Sequence, residues 1–181
     1  MKFDDDNYVS EFLRNGNYPK IHDDIFYMAS KVRGRNVLDL GCCKGLLSKR
    51  LSAINPLVVG IDASRSYIEK AVKGDNIKYV NTKVTEDTLP AITGIIQQND
   101  ITVLVARRVI PELCETGGMT LCTKFAKLLQ ECGVTYVVLE GRKKCANPTN
   151  PLSSIEMELK VFEPYYNVIE SYKDCRLLKL K

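Results

Sequence analysis

The stretch Asn36-Val-Leu-Asp-Leu-Gly-Cys-Cys-Lys-Gly-Leu46 decides the fold. Asn36 to Leu40 is a short apolar run around one acid, Asp39, and reads as a buried strand. Gly41 opens a tight turn that also contains Cys42, Cys43 and Gly45. Lys44 to Ile54 then reads as a helix with Leu47, Leu51 and Ile54 on one side, ended by Pro56. A glycine turn between strand and helix lets a ligand approach the backbone beside the helix N-terminus. The next strand, Leu57-Val-Val-Gly-Ile61, ends at Asp62, 21 residues after Gly41. A carboxylate there suits hydrogen bonds from a pair of ribose hydroxyls. Each feature also has a plain structural use, as a tight turn without ligand and as a cap for the following helix.

Outward from this segment, strands and helices alternate. Upstream, the first dozen residues are polar and acidic (Asp4, Asp5, Asp6) and read as a loose arm. From His22 to Val32, Ile25, Met28, Ala29 and Val32 form one helical face, broken by Gly34. Downstream, Ser64 caps a helix expected to run through Val72, and Ile77 to Val80 is a third strand. Pro90 starts a helix carrying Leu89, Ile92 and Ile96, and Ile101 to Ala106 is a fourth strand. A long helix with Leu121, Phe125, Leu128, Leu129 and Cys132 inward leads to a fifth strand, Val134 to Glu140. Ser153-Ser-Ile-Glu156 resembles a capping box for a helix closed by Pro164. Asn167–Tyr172 and Cys175–Leu180, joined by Lys173 and Asp174, read as an antiparallel hairpin. The expected fold is a single doubly wound α/β domain: a mostly parallel seven-stranded sheet, helices on both faces, and a C-terminal antiparallel hairpin. The division is an arm and helix over 1–33 and a core domain over 34–181.

Composition narrows the function. A chain of 181 residues and 20.4 kDa, 45% hydrophobic and 27% charged, is ordinary for one globular domain. The net charge of +4 is spread evenly, with 14 basic and 12 acidic residues in 1–90 and 12 and 10 in 91–181. There is no basic arm, so nucleic acid is permitted as a partner and not demanded. Seven cysteines without a Cys-x-x-Cys pair, and one histidine, argue against a zinc site, and no metal is expected. The same single histidine argues against Ser-His or Cys-His nucleophilic machinery. No apolar run approaches the ~20 residues of a membrane span. The odd cysteine count and the lack of a signal peptide point to a reducing, cytoplasmic setting.

Asp39, Gly41 and Gly45, with Asp62 after Val58-Val-Gly-Ile61, resemble the first two motifs of the class I S-adenosylmethionine-dependent methyltransferases. Cys43 stands where that family's first motif has its middle glycine. Asp100 to Leu113 looks like the family's fourth strand and following turn, and Asn167 to Leu180 like its closing hairpin, so the resemblance covers about 34–181. It implies a Rossmann-like fold, S-adenosyl-L-methionine as cofactor, and methyl transfer by direct displacement. The cofactor residues it implies are Asp39, Gly41, Cys42, Gly45, Asp62, Ala63, Thr82, Lys83 and Ala106. Thr82 and Lys83 fall where many members place an acid for the adenine amino group. A dinucleotide site would want glycines at 41, 43 and 46, and the chain has Cys43 and Leu46.

The acceptor is less defined. Direct displacement mainly needs alignment of nucleophile, methyl carbon and sulfur. Ligands of open α/β sheets sit at the carboxyl ends of the strands. That places Arg107 and Arg108 after strand four, and Arg142, Lys143 and Lys144 after strand five, as acceptor-side residues for an anionic group, on either nucleic acid or a small metabolite. Salt-bridged or solvated arginines are the plain alternative. The place after strand four reads Ala106-Arg-Arg-Val109, not the Asn/Asp-Pro-Pro-aromatic run of enzymes acting on exocyclic base amines. Cys114 follows Leu113 and not proline, which argues against a cytosine C5 route. Asn147-Pro148 and Asn150-Pro151 read as turns. Tyr8 to Lys20 is the segment the resemblance suggests as a lid. A non-catalytic cofactor-binding partner, or non-methyl chemistry with the same cofactor, would share these features.

Overall fold

Val37, Leu38, Leu40, Val58, Val59 and Ile61 are all buried, so the strands that carry them need cover on both faces. The computed structural model describes residues 22–142, 151–152 and 154–181, and supplies that cover. The elements run α1 (Asp23–Ser30), β1 (Asn36–Leu40), α2 (Leu46–Ser52), β2 (Leu57–Asp62), α3 (Arg65–Glu69) and β3 (Ile77–Asn81). After a 3-10 turn at Glu86–Thr88 come α4 (Leu89–Gln98), β4 (Val103–Arg107), α5 (Ile110–Glu131), β5 (Tyr136–Glu140), α6 (Ile155–Phe162), β6 (Tyr166–Tyr172) and β7 (Cys175–Leu180).

The seven strands form one sheet in the order β3-β2-β1-β4-β5-β7-β6. β1 to β5 are parallel, whereas β7 pairs antiparallel with both β5 and β6. Alternate residues feed two cores. Leu38, Leu40, Leu104, Ala106 and Leu139 meet Ile92, Ile96, Phe125, Leu129 and Phe162 of α4, α5 and α6. Val37, Val58, Val105 and Val138 meet Ile25, Met28, Leu47 and Leu51 of α1 and α2. The chain winds outward from β1 to β3 and then returns to the other side of β1 with β4. The crevice between β1 and β4 is therefore the switch point at which open α/β sheets bind ligands.

Several boundaries differ from the sequence reading. The helix expected from Lys44 starts at Leu46, because Gly45 is left-handed at φ +73°. The helix expected through Val72 stops at Glu69, and the Val72 N–H donates to the Lys44 carbonyl at 3.1 Å, outside any helical ladder. β4 begins at Val103, since Ile101 N–H still bonds back to Ile96 at the end of α4, and β5 begins at Tyr136. The cap of α6 is Ser154, whose extended backbone lets its hydroxyl accept from Met157 N–H; Ser153 lies outside the described residues. The long helix α5 breaks in the middle, with Gly117 at φ −137° and Gly118 at φ +69°, ψ −173°.

Candidate functional site

The β1–α2 turn is held by the neighbouring strand. Gly41 and Cys42 N–H both reach the Ile61 carbonyl, at 2.8 and 3.0 Å, with Gly41 at φ +71°. A Cβ on Gly41 would sit 3.0 Å from Val109 Cγ2, and one on Gly45 would sit 2.0 Å from the Tyr79 hydroxyl. Glycine is therefore required twice, for the left-handed torsion and for close approach. Cys43 adopts φ +53° where the motif has glycine. Its N–H donates to Asp62 Oδ2 at 2.8 Å, while Ser64 N–H donates to Oδ1 at 2.8 Å. These bonds set the orientation of the Asp62 carboxylate. Asn81 Nδ2 donates to the carbonyls of Asp62 and Ala63, fixing the β2–α3 turn beside it.

Over this floor lies a cavity of about 110 Å³ lined by Leu40, Gly41, Ile61, Asp62, Ala63, Thr82, Lys83, Val84, Val109, Glu112, Leu113 and Thr116. Five of the residues expected to hold a cofactor meet there: Gly41, Asp62, Ala63, Thr82 and Lys83. Its volume is below the roughly 300–1,000 Å³ of clefts that enclose a whole drug-sized ligand, so it takes in part of such a molecule. Its lining is largely apolar, with the carboxylates of Asp62 and Glu112 and the polar residues Thr82, Lys83 and Thr116 set into it; the Thr82 N–H is engaged by the Asp62 carbonyl at 3.0 Å. Asp62 beside the left-handed Gly41 turn is chemistry that fits a ribose edge of S-adenosylmethionine.

Four other expected residues lie behind that surface. Ala106 is 1% exposed and packs in the core. Cys42 and Asp39 are buried. Asp39 accepts a hydrogen bond from the Ser48 hydroxyl, and burial pushes its pKa up to about 7, with the nearby Asp62 charge adding to the rise. Gly45 is filled over by Tyr79, whose hydroxyl donates to the Val72 carbonyl at 2.8 Å. Sequence reasoning missed Val109, Glu112, Leu113 and Thr116. The signal was Pro111, which marks the first turn of α5 and sets Val109, Leu113 and Thr116 on one face.

The carboxyl ends of β4 and β5 carry charge. Arg107 and Glu140 are register partners, and Arg107 Nε lies 3.1 Å from Glu140 Oε1. Arg108, at φ +56°, brings its NH2 to 3.2 Å from the same oxygen. Both arginines are thus salt-bridged to one buried carboxylate. Burial raises the Glu140 pKa, and the two guanidiniums oppose that rise. His22 is buried beside them, held down to about 4 by burial and then by the charges of Arg107 and Arg50. Arg142 faces Glu158 of α6, which burial pushes up to about 8. Lys143, Lys144, the two Asn-Pro turns up to Asn150 and the Tyr8–Lys20 segment lie outside the described residues. Among the described residues, no group of three or more His, Cys, Asp or Glu side chains is placed to hold a metal. No described helix is long and apolar enough to cross a membrane.

No family model matches the chain, and no curated protein matches it. Solved structures do. The N-methyltransferase NodS from Bradyrhizobium japonicum WM9 superposes with a TM-score of 0.66 at 15% identity, covering 92% of this chain and 96% of that one. This chain has the fold of the S-adenosylmethionine-dependent methyltransferases. NodS in complex with S-adenosyl-L-homocysteine gives a TM-score of 0.65 at 15% identity, over 89% and 85% of the two chains. A TehB-like SAM-dependent methyltransferase from Corynebacterium glutamicum matches over 98% of each chain, with a TM-score of 0.64 and 16% identity. The bifunctional kinase-methyltransferase WbdD matches 91% of this chain with a TM-score of 0.59 at 14% identity, and there the chain spans about 39% of the larger protein. The motif resemblance and the fold agree.

Proposed function

We propose that the chain is a methyltransferase that uses S-adenosylmethionine and moves its methyl group to an anionic acceptor by direct displacement. The observation that carries this is the cavity at the β1–β4 switch point, where Gly41, Asp62 and Thr82–Lys83 meet the first turn of α5. S-adenosylmethionine, when bound, supplies a methyl group on a sulfonium that needs no further activation. Asp62 accepts from the ribose hydroxyls, the Thr82–Lys83 segment lies along the base edge, and Val109 with Leu113 excludes water from its face. The acceptor arrives at the carboxyl ends of β4 and β5, where Arg107 and Arg108 orient it. Alignment is the main contribution of these residues to rate. Cys42, Cys114, Cys122, Cys132 and Cys175 form no disulfide, which supports a reducing, cytoplasmic location.

The test is to incubate the full chain with methyl-labelled S-adenosylmethionine and cell extract fractionated by size, before and after nuclease. Label entering the small-molecule fraction and surviving nuclease is the expected result. Label in no fraction, from a preparation that binds the cofactor, would count against catalysis.

A further inference from the structure

The cluster at the ends of β4 and β5 is not a closed salt bridge. Two guanidiniums share Oε1 of Glu140, while Oε2 is buried with no hydrogen-bond partner among the described residues. Nε of Arg107 and Nε of Arg108 are likewise buried without a hydrogen bond, the 3.1 Å ion-pair contact of Arg107 being misaligned for one. Glu140 as a whole is 4% exposed. Such atoms are rare in folded proteins, because burying a polar group without its hydrogen bond is costly.

Charge is out of balance as well. Arg107 and Arg108 face a single carboxylate, that of Glu140. Glu158, with a pKa near 8, carries little negative charge at pH 7. His22 stays neutral, and Asp24 is engaged by Lys173 at 2.7 Å. A recessed cationic excess calls for an anion.

We propose that this triad recognises the acceptor, and that the acceptor is a small molecule in which a carboxylate or phosphate stands beside an O–H or N–H group. The inference rests on the methyltransferase reading and deepens it. The oxyanion takes the two Nε–H donors, and the adjacent O–H or N–H donates to Glu140 Oε2, so one ligand satisfies all three orphaned atoms. Glu140 is then a positioning residue that holds both arginines and reads the neighbouring donor. The site is recessed: the Arg107 side chain is 15% exposed and that of Arg108 34%. A compact anion reaches such a fork, with Arg108 turning to admit it, while the phosphates of a polymer backbone are held off. Guanidinium suits this task through its planar, fixed donors.

The experiment uses the full chain saturated with S-adenosylhomocysteine, titrated with glycolate, acetate and inorganic phosphate. Arginine Nε–H resonances are followed by NMR and assigned with Arg107→Gln and Arg108→Gln. Glycolate and phosphate should shift both resonances saturably. Glycolate should bind about tenfold tighter than acetate, which lacks the donor, on the scale of one hydrogen bond to a charged group. Arg108→Gln should weaken glycolate about tenfold or more while S-adenosylhomocysteine affinity is kept. Glu140→Gln should shrink the preference for glycolate over acetate, and if it fails to fold, Arg108→Gln decides. No saturable shift, equal binding of glycolate and acetate, or unchanged binding in Arg108→Gln would overturn the proposal. So would displacement of glycolate by a random single-stranded oligonucleotide. Calorimetry of the same preparation with S-adenosylhomocysteine separates the two readings: absent heat removes the methyltransferase reading, whereas the anion titration alone judges the triad.

Discussion

Asp62 and Asp39 end the same way in sequence, as acids on parallel strands, and the fold gives them opposite environments. Asp62 sits at the cavity mouth, its carboxylate oriented by two backbone N–H groups. Asp62→Ala in a folded variant should weaken S-adenosylmethionine binding by about 1.5–3 kcal/mol, the scale of hydrogen bonds to a charged group. Calorimetry measures it, and unchanged affinity would remove the ribose role. Asp39 is buried beneath α2 against Ser48, with its pKa raised to about 7. The unfolded value is near 3.9, so the folded state binds more protons between the two. Its contribution to stability is whole below about pH 4 and is lost as pH rises through 7. Asp39→Asn keeps the acceptor for Ser48 and cannot ionise. It should match wild type near pH 4 and exceed it by on the order of a few kcal/mol at pH 8. Urea midpoints across that range decide the point; a constant gap would show that Asp39 does not titrate there.

At the scale of elements, α5 is the part that shapes the cavity. Its first segment brings Glu112, Leu113 and Thr116 to the site, and its second, from Leu121 on, packs in the core. Gly117 and Gly118 let the two halves take different directions. A Cβ on Gly118 would meet nothing within 4 Å, so the cost of Gly118→Ala is torsional alone. That substitution should destabilise the fold by roughly 1–3 kcal/mol, the range for a side chain held in a glycine-only region. Denaturant unfolding reads the loss, and a change below a few tenths would mean the break relaxes freely. Apolar runs made β1, β2, β4 and β5 legible, because buried parallel strands have few other ways to be written, whereas β6 and β7 were legible from the two-residue link Lys173-Asp174 between them. The break in α5 was not legible, since its apolar spacing continues past the glycines. Nor were the ends of α2 and α3, which are set by the left-handed Gly45 and by the Val72 bond to Lys44.

For the molecule as a whole, strand order turns local motifs into a site. Gly41 and Asp62 could be read from the strand-turn pattern, and Thr82 and Lys83 only through the family resemblance; all four line the cavity. Val109 could not, because its contact with Gly41 depends on β4 lying beside β1. The pairing of Arg107 with Glu140 likewise needs the β4–β5 register, which no spacing between them reveals. The same arrangement separates a cavity of about 110 Å³ at the ends of β1, β2 and β3 from a charged fork at β4 and β5. A methyl donor and an acceptor need that kind of neighbouring but distinct placement. The claim beneath all of this is that the cavity holds S-adenosylmethionine. Isothermal titration of the full chain with S-adenosylmethionine tests it directly. One saturable site per chain, weakened in Asp62→Ala, is the predicted result; no heat of binding from a folded preparation would contradict it.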